Sequence, residues 1–484
     1  MAADDLGYRA NTGTFATAPD VLSESAREAA SGPTRSQYIV AMALLIGLIA
    51  IVCVDRALAL AIVHVLLLTA FTLAVIWRGL ATAIARPPGR IARLDWAALP
   101  PYTVIVPLYH EAAMAPGIVA ALAAIDYPKD RLQILIVLEA DDEETHLALT
   151  RTKAAQPFEV VIAPPGAPKT KPRACNVALS MANGRYVVVY DAEDRPHRLQ
   201  LQEAAARFEA GDQKLACLQA PLRVAAARNF LSRQFALEYA AQFEIILPAL
   251  ARLGAPFPLG GTSNHFRTST LKALGGWDAW NVTEDADLGF RLPAREWRTG
   301  GLRAPTWESA PMRLKDWLPQ RTRWVKGFMQ TWGVHMRTPF TGGWVRFVSL
   351  QATLGLAILS ALAHGPVLAV IVIYGLVGLV WRGGPAPPLV DVVLLTGGWG
   401  GAILTMRAGA RRAGLRMRLW DGLAAPLYWG LQSVAALFSI VQLCTRPYHW
   451  NKTRHRPPQS GRLGEQANDA GVDGKGAAGV RRAA

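Results

Sequence analysis

The chain has 484 residues, 51% hydrophobic and 18% charged, which is more apolar than a soluble enzyme of this length needs. Its formal net charge is +15, yet the basic residues flank apolar runs and form no stripe with base-reading side chains, which argues against a nucleic-acid partner. Four cysteines, at 53, 175, 217 and 444, have no paired spacing, so neither a disulfide framework nor a zinc site is supported.

Residues 1–37 are aperiodic, rich in Ala, Ser and charge, and read as a disordered N-terminal tail. Residues 38–54 and 57–77 are each long enough to cross about 30 Å of hydrocarbon as a helix, and only Asp55-Arg56 separates them. The first run begins late and a second follows at once, which does not fit a cleaved signal peptide; the hairpin 38–77 is expected to stay in the mature protein. Arg78, Arg86, Arg90 and Arg93 follow it. By the positive-inside rule they place the next region in the cytoplasm.

That region, 95–335, alternates short β-branched runs with helical patterns. Strands are predicted at 102–106, 132–138, 158–162 and 185–190, nearly continuously apolar as strands covered on both faces are. Helices are predicted at 111–125, 143–155, 172–182 and 197–209, so the expected fold is α/β with a mostly parallel sheet. Ligands in such sheets bind beyond the carboxyl ends of the strands. Those ends are acidic: Tyr109-His-Glu111 after the first, Glu139-Ala-Asp141-Asp142 after the second, Asp191-Ala-Glu193-Asp194 after the fourth. Converging acids repel one another unless a cation or donors lie between them, and a divalent metal carrying a diphosphate resolves that conflict. Carboxylates at i and i+2 beyond a strand suit Mg²⁺ or Mn²⁺.

The segment 222–253 mixes apolar and basic residues at helical spacing and reads equally as an interface helix and as a surface helix. Two further motifs follow, Thr283-Glu284-Asp285 and Gln320-Arg-Thr-Arg323-Trp324. Apolar sequence returns over 346–445 in runs 346–362, 365–381, 388–406 and 421–445, the first two broken by His364-Gly365-Pro366. About four crossings are expected there. Arg407, Arg411, Arg412, Arg416 and Arg418 would then face away from the cytoplasm, so one run is re-entrant or lies in the interface. Residues 446–484 read as a basic, largely disordered tail. Its first part, 447–455, combines aromatics with cations, read first as an interface anchor and second as a segment folding back near the nucleotide.

Together these motifs resemble the membrane-embedded, processive family 2 glycosyltransferases, the group of cellulose and hyaluronan synthases. The resemblance covers 95–335 and agrees with the flanking membrane blocks. It implies a GT-A-like nucleotide-sugar domain inserted between two transmembrane blocks. It also implies inverting, metal-dependent polymerisation of a UDP-sugar into a β-linked polysaccharide at the inner membrane, with the growing chain translocated and partner subunits for export. The resemblance assigns Tyr109, Glu111, Glu139, Asp141, Lys171 and Asp191 to the nucleotide. It assigns the metal to Asp191 and Glu193, with Asp194 as a rival ligand because Glu stands where the family has its second Asp. Within Thr283-Glu284-Asp285 the general base is Asp285, with Asp287 as fallback. Gln320, Arg323 and Trp324 would meet the diphosphate and the acceptor, Arg323 forking onto phosphate and Trp324 stacking on a sugar ring. The segment 260–267 resembles the family's acceptor-pocket loop, and His265 within it reads as an acceptor contact or a hydrogen bonder of the loop, not a metal ligand, since no second His stands at ligand spacing. Two alternatives stay open: a single transfer to a lipid carrier, and a membrane scaffold with a degenerate transferase domain. No cyclic-dinucleotide-binding domain is evident after the last crossing.

Overall fold

The computed structural model describes residues 8–10, 28–153, 157–380 and 389–450. Two pieces of the expected disordered leader are ordered. Strand β1 (Tyr8–Ala10) pairs in parallel with Phe158–Val160, and a 3₁₀ turn at Glu28–Ser31 docks through the Ala29 N–H, which donates to Asp278 at 2.7 Å. Helices α1 (Arg35–Val54) and α2 (Arg56–Ile84) form the first membrane hairpin. A single residue suffices between them because the Asp55 carboxylate accepts the Ala57 and Leu58 N–H groups, satisfying the first turn of α2.

The central sheet begins with β2 (Tyr102–Leu108), β3 (Leu132–Glu139), β4 (Phe158–Ala163) and β5 (Tyr186–Val189), all parallel. Helices α3 (Ala115–Ala123), α4 (Glu143–Arg151) and α5 (Lys171–Met181) connect them. Period-2 alternation divides the strands between two cores. Ile105, Leu135 and Val187 pack with Ala174 and Ala178 of α5, while Val104, Ile134 and Val188 pack with Ile118 of α3. Next come β6 (Arg195–Pro196), α6 (Gln200–Ala210), β7 (Leu215–Gln219), β8 (Leu222–Val224), α7 (Phe230–Ala241), β9 (Asn264–Arg267), α8 (Glu284–Ala294), β10 (Arg298–Gly301) and β11 (Thr306–Glu308). The main sheet runs β1-β4-β3-β2-β5-β9-β7-β10, with β9 antiparallel to both neighbours; β6-β11-β8 form a small second sheet.

Below the sheet lies a layer of helices. The 222–253 segment is neither a free surface helix nor one long interfacial rod: after β8 it forms α7, continued through a π turn at Gln242–Ile246 and a helix at Leu247–Arg252. Helix α9 (Leu314–His335) carries the Gln320–Trp324 motif.

The expected break at His364-Gly365-Pro366 is absent. Helices α10 (Gly343–Leu350) and α11 (Leu356–Val380) run on through a π turn at Gln351–Gly355 and past Pro366, beside which the Gly365 N–H donates to the Ser433 hydroxyl at 2.8 Å. Two expected crossings are therefore one. Helix α12 (Leu389–Ala413) returns to the catalytic side, where Arg412 donates to the Glu244 and Ala85 carbonyls. The basic run 407–418 thus lies with the catalytic domain, and the charge conflict raised by four late crossings disappears.

Helix α13 (Ala425–Thr445) is the fifth helix long and apolar enough to span a bilayer. Both its ends are tied to the catalytic layer: Tyr428 to Trp317 and Arg321, and the carbonyl of Arg446 to Lys326. It runs alongside α9 and presents Leu427, Val434, Phe438 and Val441 outward as an apolar face.

Gly409 of α12 sets how closely the membrane block meets α7, since a Cβ there would lie 2.3 Å from the Ala240 carbonyl oxygen. Gly409→Leu is expected to destabilise the detergent-solubilised protein by about 1–3 kcal/mol. Gly400→Leu, on the same helix with open space around the glycine, should melt as wild type. Equal melting of the two variants would show that α12 does not depend on this contact.

Candidate active site

A cavity of about 2380 Å³ starts at the carboxyl ends of the parallel strands and continues down between the membrane helices. Tyr109, Glu111, Glu139, Lys171, Asp191, Glu193, Thr283, Glu284, Asp285, Gln320, Arg323 and Trp324 all line it. Sites predicted from stretches of chain more than 200 residues apart therefore share one wall.

At the nucleotide end, the Lys169 ammonium lies 4.4 Å from the Tyr109 ring centroid and pairs with Asp141, whose carboxylate it holds below its usual range. Asp141 sits at the rim and not on the cavity wall. Glu139 is raised by burial, a shift opposed by Arg173 at 3.2 Å. Glu111 is buried, with its N–H donating to Thr145 at 2.9 Å.

Lys171, at the start of α5, bridges two loops: its ammonium is 2.5 Å from Asp191 and donates to the Gly261 carbonyl at 2.7 Å. Burial works against its charge, but Asp191 and Glu284 outweigh burial and hold the ammonium above its usual range. Asp191 and Glu193 face the cavity, whereas Asp194 turns inward, fully buried, accepting the Asp191 N–H at 2.7 Å and the Thr262 hydroxyl. Asp194 is thus a loop-closing acid and not the rival ligand. Glu308, at the end of β11, joins the acids on the wall; burial first, then Asp194, Glu193 and Asp191, push it well up. Its strand has three residues, too few for a periodic signal in the sequence.

Among the described residues no three His, Cys, Asp or Glu side chains form a closed metal cage. Asp191 and Glu193, two oxygen donors on one turn, fit a hard cation whose remaining ligands are phosphate oxygens.

Thr283 caps the register of α8 against α9. Gly327 permits this approach, since a Cβ there would stand 2.3 Å from Thr283 Cγ2. One helical turn before Gly327, Arg323 then faces the first turn of α8. Burial and the neighbouring Asp285 push Glu284 up to about 8; Asp285 is also raised, by burial, with Lys171 and Arg323 pulling the other way. Asp285 Oδ2 lies against Gly261, 3.5 Å from where a Cβ would be. Asp287, the fallback base, does not line the cavity. It is buried 2.7 Å from Arg291 and 3.0 Å from His335, which hold its carboxylate low despite burial.

Arg323 has one long bond to the Val282 carbonyl, 3.4 Å, and its buried Nε has no hydrogen-bond partner among the described residues. Its guanidinium lies 4.4 Å from the Trp450 ring centroid. Residues 447–450 therefore fold back over the site and are not an interface anchor; 451–455 lie outside the described residues. Trp324 stacks beside Tyr239 and under Arg321, which is held by Glu238 through bonds of 2.8 and 2.7 Å. His265 is no acceptor contact: it is fully buried between Tyr102 and Gln200, and burial lowers its pKa to about 3.

Comparison with known proteins agrees with this geometry. Residues 103–263 match the model described as Glycosyl transferase family 2, and residues 186–396 that described as Glycosyl transferase family group 2. Probable glycosyltransferase YdaM of Bacillus subtilis (strain 168) is 30% identical over 47% of this chain and 55% of its own length. Beta-monoglucosyldiacylglycerol synthase of Synechocystis sp. is 28% identical, covering 52% of each. Cellulose synthase 2 of Novacetimonas hansenii is 27% identical over 56% of this chain and 16% of its own. The chain thus spans about half the length, or less, of these curated relatives. Among solved structures, the mannosyltransferase PcManGT from Pyrobaculum calidifontis, in complex with GDP-Man and Mn²⁺, superimposes with a TM-score of 0.55 at 19% identity, covering 79% of this chain and 97% of that one. That likeness establishes the GT-A-like fold. Between them the two matches cover residues 103–396, which carry the acids and cations of the cavity, so this part of the chain is similar to family 2 glycosyltransferase domains.

Proposed function

We propose that the chain is an inverting glycosyltransferase that moves a sugar from a UDP-sugar onto a hydroxyl presented from the bilayer. The observation that carries this reading is a single cavity in which Asp285, Lys171, Arg323 and the Asp191/Glu193 pair meet, open toward the membrane helices. With Glu284 pushed up to about 8 it is largely protonated at neutral pH, which leaves Asp285 as the ionised member of the pair and the base for the acceptor hydroxyl. Arg323, poorly satisfied, and Lys171 stand where the diphosphate gains charge as the glycosidic bond to it breaks. Asp191 and Glu193 would hold Mg²⁺ or Mn²⁺, an ion that supplies Lewis-acid neutralisation of the leaving group. Tyr109, Glu111 and Glu139 bound the end of the cavity left for the base and ribose.

The acceptor follows from the lower cavity. Its walls are aliphatic, and burying a polysaccharide's hydroxyls against them without partners is costly, so transfer to a lipid is the first reading. The relative named beta-monoglucosyldiacylglycerol synthase is consistent with it. Polymerisation is the second, supported by Trp324 on the cavity wall and by the relative named cellulose synthase; only this reading calls for export partners. Arg86, Arg412 and Arg446 lie on the catalytic side, which by the positive-inside rule is the cytoplasmic face of the inner membrane.

Purified protein given UDP-glucose or UDP-N-acetylglucosamine with Mg²⁺ or Mn²⁺ should release UDP, and Asp285→Asn should lower that rate roughly 100- to 10,000-fold. A product of one sugar in the organic extract supports the lipid reading, a long water-soluble product supports polymerisation, and an active Asp285→Asn enzyme removes the assigned base. The profile of kcat/KM against pH should carry an inflection near 8 from Glu284. Above it Glu284 becomes charged and raises Asp285 further; Glu284→Gln, fixed neutral, should lose that inflection while keeping the acid limb of Asp285. An unchanged profile would mean that the pair does not share its protons.

A further inference from the structure

The lower cavity is a groove with two walls, one made by α2 with α12 and the other by α11 with α13. Its lining is mostly aliphatic, including Leu60, Leu67, Leu395 and Leu427. Leu60 and Leu427 are 71% and 64% exposed, so the groove is open at its side and not a closed tube. An apolar chain can enter such an opening from the bilayer.

At the top of the groove, where it joins the catalytic cleft, stands Arg78 of α2. Six residues separate it from the helix end at Ile84, which places it about 9 Å inside the helix. Its guanidinium makes no hydrogen bond or ion pair with any described residue. The one acid that acts on it is Glu238, and that carboxylate is already filled. Oε1 accepts from Arg321 and Gln432, and Oε2 accepts from Arg321 and Tyr428, at 2.7 to 3.3 Å. His364, the other titratable group near Arg78, is bound through Nδ1 to Ser360. The His64–Asp391 pair, 2.7 Å apart, is satisfied within itself. The neck of an apolar groove therefore holds a cation whose charge nothing in the described chain neutralises, and such a cation in low dielectric calls for an anion.

We propose that the groove holds a phosphate-bearing membrane lipid, its chains between α2 and α13, its phosphate on Arg78, and a head-group hydroxyl beyond the phosphate reaching Asp285. This rests on the reading of Asp285 as the base and specifies the acceptor class: a phospholipid or lipid-phosphate glycoside with a free hydroxyl, not neutral diacylglycerol.

The test needs no sugar donor. The full chain in dodecyl maltoside is titrated with phosphatidylglycerol and, separately, with diacylglycerol of the same brominated chains, and quenching of the tryptophans lining the groove, Trp77, Trp399 and Trp429, is followed. Phosphatidylglycerol is expected to bind about tenfold more tightly or better. Arg78→Ala should erase the difference while Arg78→Lys keeps most of it, both melting as wild type. Equal binding of the two lipids, or an intact preference in Arg78→Ala, overturns the proposal. Competition by millimolar inorganic phosphate would also overturn it, since the site would then read free phosphate and not a lipid. Because donor and metal are absent, failure here leaves the transfer reading standing, and failure of UDP release leaves this binding result intact.

Discussion

Five of the carboxylates on the cavity wall, Asp191, Glu193, Glu284, Asp285 and Glu308, lie near one another, and their mutual repulsion is the constraint around which the rest is arranged. At an effective dielectric of 20, two unit charges 4 Å apart interact by about 4 kcal/mol, so they cannot all remain ionised and uncompensated. The chain answers in two ways. Glu284 and Glu308 are pushed toward their neutral forms, and two cations from distant elements are brought in, Lys171 from the start of α5 and Arg323 from α9. The elements that deliver those cations are held to the ones that carry the acids: Lys171 links the Asp191 loop to the Gly261 loop, and Gly327 lets α9 close on Thr283. The cations of this site are oriented by the fold itself, the preorganisation that stabilising a developing negative charge requires.

The same helix, α9, ties the chemistry to the bilayer. Its Arg321 binds Glu238 of α7 with fork geometry and reaches Tyr428 of α13, while Trp317 donates to the same tyrosine. Val325 packs with Ala361 and Ala436 of the helices beneath it. On its far side His335 lies between Asp287 of α8 and Arg346 of α10, so α8, α9 and α10 share one buried polar chain. Buried charges linked this way specify relative position more than they add stability. The consequence is a cleft whose height over the membrane groove is set by side-chain contacts and not by a loop.

Much of this was legible in the residues. The four β-branched runs became β2 to β5 within a few residues of their predicted ends, because strands covered on both faces have a continuous apolar signal that needs no tertiary context. The acids beyond those strands, with Thr283–Asp285 and Gln320–Trp324, came to one cavity. Elsewhere local sequence misled. His364-Gly365-Pro366 has the composition of a break, but the helix runs on through it, packed against another helix whose Ser433 hydroxyl accepts the Gly365 N–H. Asp194 is indistinguishable from Glu193 by type, and only the Thr262 hydroxyl and the Asp191 N–H draw it inward. His265 carries no mark of the Tyr102 and Gln200 groups that bury it. Trp450 has an interface anchor's composition, yet lies over Arg323.

By itself, then, the sequence determined what depends on periodicity and on runs of one chemical kind: an α/β sheet, apolar helices on both sides of it, acidic strand ends and a basic aromatic motif after them. These are local properties, written in the spacing of side chains along one segment. Tertiary structure alone decided which acids face the cavity, which cations they meet, and that Glu238 is filled while Arg78 is not. Each of those depends on partners from other elements of the fold, and the energy of a charge or an unpaired donor is set by what surrounds it in space.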